Sequence, residues 1–411
     1  MRRIAVSLAA ALVLAPATAA ADPALERTLA RQMRPAGAHS GAYVLNLSTG
    51  RAAFRWRADR PRILASNTKL FTTTTALGRF GADGTLITRV LGAGRLDADG
   101  VWRGDLYLRG GGDPAFGSRS YATRYYRSAG GTVEELAALI EDAGVERVRG
   151  RIRGDESAFD ALRGGPDSGF GVSPWVGPLS ALSFNRGFAD ERGRSWQLDP
   201  PSFAAGRLDA ALEARGVPVR LRPGIGATPA GADLLASVAS PPMERLVRLT
   251  NKPSDNFFAE MLLKAVALDA TGRGTTYAGA RLAAAQARRL GTRARLVDGS
   301  GLSRADRASP RQIVRLLAAM YERDEREYDD AFFDSLAVAG QDGTLANRMR
   351  SGPAHWRCHG KTGTLSNVSA LSGYCYARGG DTYAFSILMN FVYPPGARRL
   401  QDRMVQAIAA Q

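Results

Sequence analysis

The chain has 411 residues, 45% of them hydrophobic and 23% charged, a globular composition that excludes a disordered polymer and supplies enough material for two or three domains. A formal net charge of +16 favours anionic polymers and surfaces, but the basic residues are spread along the chain with no block interleaved with aromatics, which argues against nucleic-acid recognition. The three histidines (His39, His355 and His359) have no carboxylates at ligand spacing, so neither a metal nor another cofactor is expected, and a Ser-His-Asp triad is poorly supplied.

Met1–Ala21 reads as a secretory signal. Arg2 and Arg3 form its charged start, Ile4 to Leu14 its apolar run, and cleavage after Ala19 or Ala21 fits an A-x-A site. An uncleaved anchor is the alternative reading, but the apolar run is short for a bilayer, and no other stretch approaches membrane-spanning length. The expected product is exported and soluble, with at most peripheral membrane contact. A helix over Ala24–Met33 follows, then a hairpin of Gly41–Leu47 and Arg51–Trp56 across Ser48-Thr49-Gly50.

Next comes Ser66-Asn67-Thr68-Lys69, opening a helix that is expected to run to about Phe80. Residues three apart on a helix lie one above the other, which brings Lys69 over Ser66. A serine in a first helical turn sits among free N–H groups at the positive end of the helix dipole, where a developing oxyanion is favoured. A lysine amine one turn on can accept the serine's proton, provided that burial or a neighbouring positive charge lowers its pKa. Taken alone, S-x-x-K is a weak signal that recurs by chance.

From Thr85 the texture changes to glycine-rich strands, Leu86–Leu91 and Asp105–Arg109. A Gly110-Gly111-Gly112-Asp113-Pro114 turn, a helix at Thr132–Ala143, a strand at Val145–Gly154 and a Gly/Pro-rich loop at Gly164–Gly177 follow. Phe203–Arg215 reads as a helix and Leu221–Ala232 as a linker. Helical periodicity then marks Pro242–Thr250, Ser254–Ala270, Thr276–Leu290 and Ser309–Arg323. Ser254-Asp255-Asn256 opens the second of these, and taken alone it reads as an N-cap. Asp298-Gly299-Ser300-Gly301 reads either as lining for a site or as a tight turn.

Strands at His359–Gly363, Val368–Ala377 and Thr382–Asn390 and a helix at Ala397–Ala409 complete the chain. The first strand carries Lys361-Thr362-Gly363-Thr364, in which Gly363 also reads as a turn glycine. The only two cysteines, Cys358 and Cys375, are symmetric about the turn at Ser366-Asn367, which would set them opposite one another on adjacent strands. They form a disulfide in an oxidising compartment, or two thiols buried in a sheet. Strands from both chain ends with helices between them predict an α/β sandwich assembled from discontinuous segments. Only four of the 55 basic side chains are lysines: Lys69, Lys252, Lys264 and Lys361. Arginine cannot serve as a base near neutral pH, so the clustering of lysines in and beside the motifs supports their chemical use.

Ser66-x-x-Lys69, Ser254-Asp255-Asn256 and Lys361-Thr362-Gly363, in that order, make up a signature shared by penicillin-binding proteins and class A β-lactamases. Further matching segments are Gly112-Asp113-Pro114, Ser180-Ala181-Leu182-Ser183-Phe184-Asn185, Asp298-Gly299-Ser300-Gly301-Leu302-Ser303-Arg304 and Gly340-Gln341-Asp342-Gly343-Thr344-Leu345. Through nearly the whole mature chain, the sequence resembles the serine D-alanyl-D-alanine carboxypeptidase/endopeptidases, the class C low-molecular-mass penicillin-binding proteins.

The resemblance implies a discontinuous transpeptidase domain of the penicillin-binding/β-lactamase-like type, an antiparallel sheet with helices, over residues 22–84 and 236–411. An inserted β-rich α+β domain would occupy 85–235. The larger members carry an additional small domain between the positions of Asn185-Arg186-Gly187 and Asp199-Pro200-Pro201-Ser202-Phe203, and this chain is expected to lack it. The implied activity is carboxypeptidase and/or endopeptidase cleavage of peptidoglycan stem peptides through an acyl-enzyme, with β-lactams as mimics, in the periplasm or an extracellular, cell-wall-associated space.

Ser66 would be the nucleophile, Lys69 its base, Ser254 and Lys361 the route for a proton to the leaving amine, and Asn256 an orienting residue for Lys69 and the substrate amide. Lys361 would also help to depress the Lys69 amine. Lys361, Thr362 and Thr364, with Gly363, would hold the substrate and its terminal carboxylate along the strand edge. The N–H groups of Ser66 and Thr364 would form the oxyanion hole. Two alternatives are a β-lactamase, for which Glu260 is the candidate deacylation base, and a non-catalytic wall-binding or penicillin-sensing protein.

Overall fold

Thr72–Thr75 is a run of four β-branched residues, which on propensity alone disfavours a helix. In the computed structural model, which describes residues 23–327 and 330–411, this run is the middle of a buried helix, Thr68–Phe80. The hydroxyls of Thr73, Thr74 and Thr75 donate back to the carbonyls of Lys69, Leu70 and Phe71 at 2.7, 2.6 and 2.6 Å, and Thr72 donates to Gly299 O at 2.8 Å. Each polar group is thus satisfied inside the core. Leu70, Phe71, Ala76 and Leu77 on the same helix join a large apolar cluster with Leu246, Phe257, Leu262 and Leu317 from the surrounding helices. The expected signal segment Met1–Ala21 lies outside the described residues.

Against this helical layer stands a six-stranded antiparallel sheet. Its order is Ala337–Val338, Cys358–Leu365, Val368–Tyr376, Thr382–Asn390, Ser40–Asn46 and Arg51–Trp56. Strands from the two ends of the chain are neighbours in it, as expected. Its second face is covered by the terminal helices Pro23–Met33 and Pro394–Ala409, through Leu25, Leu29, Met404 and Ile408. Cys358 pairs in register with Cys375, and a disulfide joins them.

The short edge strand, Ala337–Val338, reaches only Gly360 and His359. From Lys361 to Leu365 the adjoining strand therefore pairs with no further strand on that side among the described residues.

A second sheet is mixed. It contains Gly224–Ile225, Ile152–Asp155, Val101–Arg109, Ile87–Leu96 and Asp233–Ala239, with Arg147–Val148 beside Val101–Arg109. Val90, Leu106, Leu108, Ile152 and Val238 pack from it onto Leu136 and Ile140 of helix Val133–Asp142 and Ala204 and Leu208 of helix Pro200–Ala214, in an apolar cluster of its own.

Three elements here depart from expectation. Val145–Gly154 is not one strand but two pieces, Arg147–Val148 and Ile152–Asp155, because the chain bends at Gly150, where a Cβ would stand 2.0 Å from Gly104 O. The expected linker Leu221–Ala232 contributes a short strand and leads into Asp233–Ala239, whose Ala236 and Val238 point inward. Helix Arg119–Tyr126, not expected from the sequence, buries Tyr121, Ala122 and Tyr126 and starts at Ser118, whose Oγ accepts from Tyr121 N–H. Between Phe184 and Pro200, where larger relatives were expected to hold another domain, the chain closes on itself. Phe188 and Trp196 stack at 4.2 Å, and Asp190 accepts from the N–H groups of Arg192, Arg194 and Ser195.

Candidate active site

Ser66 sits in a 3-10 turn, Ala65–Asn67, immediately ahead of the buried helix. Ala65 has a φ of +47°, a left-handed conformation that costs about 1 kcal/mol or more for a residue with a Cβ. Neighbouring groups hold it there. Asn67 donates from Nδ2 to Lys361 O at 2.9 Å, and its Oδ1 accepts from Ser372 Oγ at 2.6 Å, which ties the turn to two strands of the sheet. Gly301, itself at φ +83°, lies so close that a Cβ there would stand 1.9 Å from Ala65 O.

One turn on, Lys69 is completely buried. Its Nζ contacts Ser66 Oγ at 3.1 Å, Asn256 Oδ1 at 2.6 Å and Ser300 O at 2.7 Å. Burial lowers the amine to about 8, against the attraction of Asp298, Asp255, Glu260 and Asp306, which raise it. Of the two causes expected, burial and a neighbouring positive charge, burial is the main one at Lys69. Lys361 is also fully buried and donates to Thr362 O at 3.0 Å. Its amine falls well below the usual range, first from burial and then from the Lys69 charge.

Ser254 and Asn256 flank the start of helix Asn256–Thr271, but neither is its cap. Asp255 is the N-cap, with Oδ1 accepting from Phe258 N–H at 3.0 Å, and Arg186 holds the same carboxylate through Nε at 2.8 Å and Nη2 at 3.1 Å. The capping role read onto Ser254 and Asn256 thus belongs to the residue between them. Ser254 takes a left-handed φ of +65°, and its side chain lines a cleft shared with Ser66. Asn256 points its Oδ1 at Lys69 and donates from Nδ2 to Trp175 O at 3.1 Å.

The cleft has a volume of about 1000 Å³, and Ser66, Ser254, Asn256, Thr362 and Thr364 all line it. Lys69 and Lys361 are buried beneath. Gly363 is not a turn glycine but lies within the strand, where a Cβ would stand 2.9 Å from Leu64 O and 3.0 Å from Ser66 N. The strand approaches the serine turn as closely as it does only because this position has no side chain. Thr362 Oγ1 donates to Thr344 Oγ1 at 2.8 Å, and Arg398 donates to Thr364 Oγ1 at 3.0 Å.

The Asp298–Gly301 segment proves to be a turn that supports the site from beneath, with none of its four residues in the lining of the cleft. Asp298 accepts from the N–H groups of Gly301 and Ser303 at 2.7 Å each, and the turn delivers Ser300 O to Lys69. Glu260, fully buried beneath it, accepts from Gly299 N and Ser300 N at 3.0 and 2.8 Å, and does not line the cleft. Burial and the nearby Asp298 push its carboxyl up to about 7. Of the remaining lysines, Lys252 pairs with Asp342 at 2.6 Å and Lys264 with Asp160 at 2.6 Å, so both act as structural cations. Among the described residues, no group of three or more histidine, cysteine or carboxylate side chains converges as metal ligands would.

Sequence reasoning missed Trp175, Asn347, Arg348 and Arg398, which also line the cleft. Trp175 is 69% exposed on the Gly/Pro-rich loop, and an isolated tryptophan in such a loop is a usable signal. Thr344 and Leu302 lie in two segments already singled out by resemblance. Nothing in the local sequence marks Arg398.

The model of the D-Ala-D-Ala carboxypeptidase 3 (S13) family matches residues 22–190 and 191–411 of the chain. A D-alanyl-D-alanine carboxypeptidase of Actinomadura sp. (strain R39) is 29% identical, the match covering 94% of this chain and 82% of that protein. A carboxypeptidase of Mycobacterium tuberculosis is likewise 29% identical over 94% of this chain and 81% of its own length. Among solved structures, penicillin-binding protein 4 of Haemophilus influenzae superposes with a TM-score of 0.73 at 19% identity, over 92% of this chain and 97% of that one, and so shares its fold.

Proposed function

The chain belongs to the D-Ala-D-Ala carboxypeptidase 3 (S13) family, and on that premise we propose that it is a serine DD-peptidase, cleaving peptidoglycan stem peptides through an acyl-enzyme on Ser66 that β-lactams also form. The observation that carries this reading is the buried Lys69 amine, which touches Ser66 Oγ while desolvation lowers its proton affinity to about 8. A useful fraction is then free base near neutral pH, which an exposed lysine would not supply.

In the proposed sequence Lys69 takes the Ser66 proton as Oγ attacks the carbonyl between two D-alanines. The oxyanion is received by the N–H groups of Ser66 and Thr364. Ser254, assisted by Lys361, carries a proton to the leaving amine as the C–N bond breaks. Water then adds to the ester, releasing the shortened peptide and restoring Ser66. Asn256 orients Lys69 and binds the substrate amide, and Thr362, Gly363 and Thr364 present the unpaired strand edge along which an extended peptide aligns. Thr362 and Thr364 also face the terminal carboxylate.

A peptidase is preferred to a β-lactamase because Glu260, the candidate deacylation base, has one oxygen engaged by two peptide N–H groups and lies outside the cleft. A penicillin-sensing binder has no need of a complete nucleophile, base and proton route. We further propose that residues 85–235 form one inserted domain within the catalytic domain, 22–84 and 236–411, and that the protein is exported to the cell-wall space where its substrate lies. No helix among the described residues is long and apolar enough to cross a membrane.

Intact-mass spectrometry with benzylpenicillin, beside turnover of an N-acyl-D-Ala-D-Ala peptide, tests the reading. A long-lived adduct on the wild type, absent from Ser66→Ala, with release of D-alanine, is the expected outcome. Rapid loss of the adduct with hydrolysed drug would favour the β-lactamase, and no adduct together with no turnover would leave only a binding protein.

A further inference from the structure

The lining of the cleft has a marked charge asymmetry. It includes two arginines, Arg348 and Arg398, and, among the described residues, no acidic residue. The two arginines are not equivalent. Arg348 is neutralised by Asp402, with Nε at 2.9 Å and Nη2 at 2.7 Å from Oδ1. Arg398 stands one helical turn before Asp402, whose carboxylate is thus already engaged. Arg398 itself makes a single side-chain hydrogen bond, from Nη2 to Thr364 Oγ1 at 3.0 Å, and takes part in no ion pair among the described residues. Its guanidinium is exposed, with its other N–H groups uncommitted beside the open strand edge.

A guanidinium offers five donors in a planar fork, and one bond to a hydroxyl leaves most of them for an anion. Because Thr364 Oγ1 accepts from Arg398, its own proton is left to donate elsewhere. The two side chains therefore form a paired donor set, one hydroxyl and one fork, beside the residues proposed to receive the peptide. With no carboxylate in the lining to compete, a ligand supplies the missing negative charge.

We propose that Arg398 is a specificity-determining residue that recognises the free α-carboxylate of the substrate's last residue, acting with Thr364 and reaching it from helix Pro394–Ala409. This deepens the DD-peptidase reading and rests on it. An α-carboxylate is chosen over a larger anion because the donor set lies at the edge of the strand on which the peptide backbone would align, one residue along from Gly363 and close to the Ser66 turn.

The test compares kcat/KM for an N-acyl-D-Ala-D-Ala peptide with that for the same peptide ending in D-alaninamide, using the wild type, Arg398→Ala and Arg398→Lys. Arg398 is exposed, so neither change threatens the core. Arg398→Ala is expected to lose about tenfold on the free acid, the scale of one charged hydrogen bond, and less than about twofold on the amide. Arg398→Lys keeps part of the discrimination, since it keeps the charge without the fork. The loss shrinks as salt is raised, as for any exposed charge.

An equal loss on both peptides would make Arg398 a structural prop, and an unchanged acid-to-amide ratio would remove it from recognition; either result overturns the inference while an active wild type preserves the function. A wild type that turns over neither peptide and takes no benzylpenicillin adduct overturns both.

Discussion

On the proposed mechanism, Lys69 is the residue whose protonation state controls the site. Its amine must be neutral to accept the Ser66 proton, and its lowered pKa of about 8 places the change within a measurable range. The rate constant for acylation by benzylpenicillin is expected to rise with pH through about 8 and level off above it, and a stopped-flow profile across that range checks this. Glu260 provides a second test. Its charge raises the Lys69 pKa together with those of Asp298, Asp255 and Asp306, so Glu260→Gln should move the acid limb of the profile to lower pH. The same variant should leave the lifetime of the penicilloyl adduct unchanged within about twofold, because no Glu260 atom faces the cleft. A much longer lifetime would restore Glu260 as a deacylation base. The candidate residues that the structure brings together were legible in the sequence because the proposed chemistry demands particular residue types at fixed spacing. Arg398 was not, since it reaches the cleft only because its helix packs against a distant strand, whereas Trp175 left a signal, an isolated tryptophan in a Gly/Pro-rich loop, that was passed over.

At the scale of elements, the catalytic strand is placed by two features, a glycine and a disulfide. Gly363 leaves no room for a methyl group between the strand and the Ser66 turn. Gly363→Ala is therefore expected to push Thr364 N away from Ser66 N and to slow acylation by up to about 100- to 1000-fold, the scale of losing one oxyanion donor, while the protein stays folded. Parallel measurement of acylation rate and thermal midpoint separates these effects. The Cys358–Cys375 link closes a loop with a sequence separation of 17 at the base of the same hairpin. Loop-closure entropy gives it roughly 3 kcal/mol at most, so Cys358→Ala with Cys375→Ala should lower the melting midpoint by several degrees without abolishing acylation. Symmetry of the two cysteines about a turn made this pairing readable in advance. The long amphipathic helices and the hairpin strands were readable for a similar reason, because their periodicity is local. Helix Arg119–Tyr126 and strand Asp233–Ala239 escaped because each acquires its apolar face from partners far away in sequence, Phe258 against Tyr126 in one case and the Ile87–Leu96 strand in the other.

At the scale of the whole molecule, the segment 85–235 is more than an appendage to the catalytic layers. It sends Trp175 O to Asn256, Asp160 to the buried Lys264, and Arg186 to Asp255, the cap of the helix that carries Asn256. The split layout was expected from strands at both chain ends with helices between them, but these supports were not, because arginine is so abundant here that no single one stands out by type. Arg186 is the most exacting of the three contacts. Its guanidinium makes two bonds to the Asp255 carboxylate and lies over the rings of Phe188 and Phe257 at 5.4 and 5.5 Å. A bidentate, stacked arginine is not replaceable by lysine, whose ammonium offers neither the fork nor the plane. Arg186→Lys is thus expected to be nearly as damaging as Arg186→Ala. Each should reduce acylation of Ser66 about tenfold, as Ser254 and Asn256 lose the fixed residue between them. A double-mutant cycle with Asp255→Asn, read on the acylation rate constant, should return a coupling of about 1–3 kcal/mol. Coupling near zero would mean that the insertion leans on the catalytic helix without steadying it, and full rescue by lysine would reduce the contact to simple charge pairing.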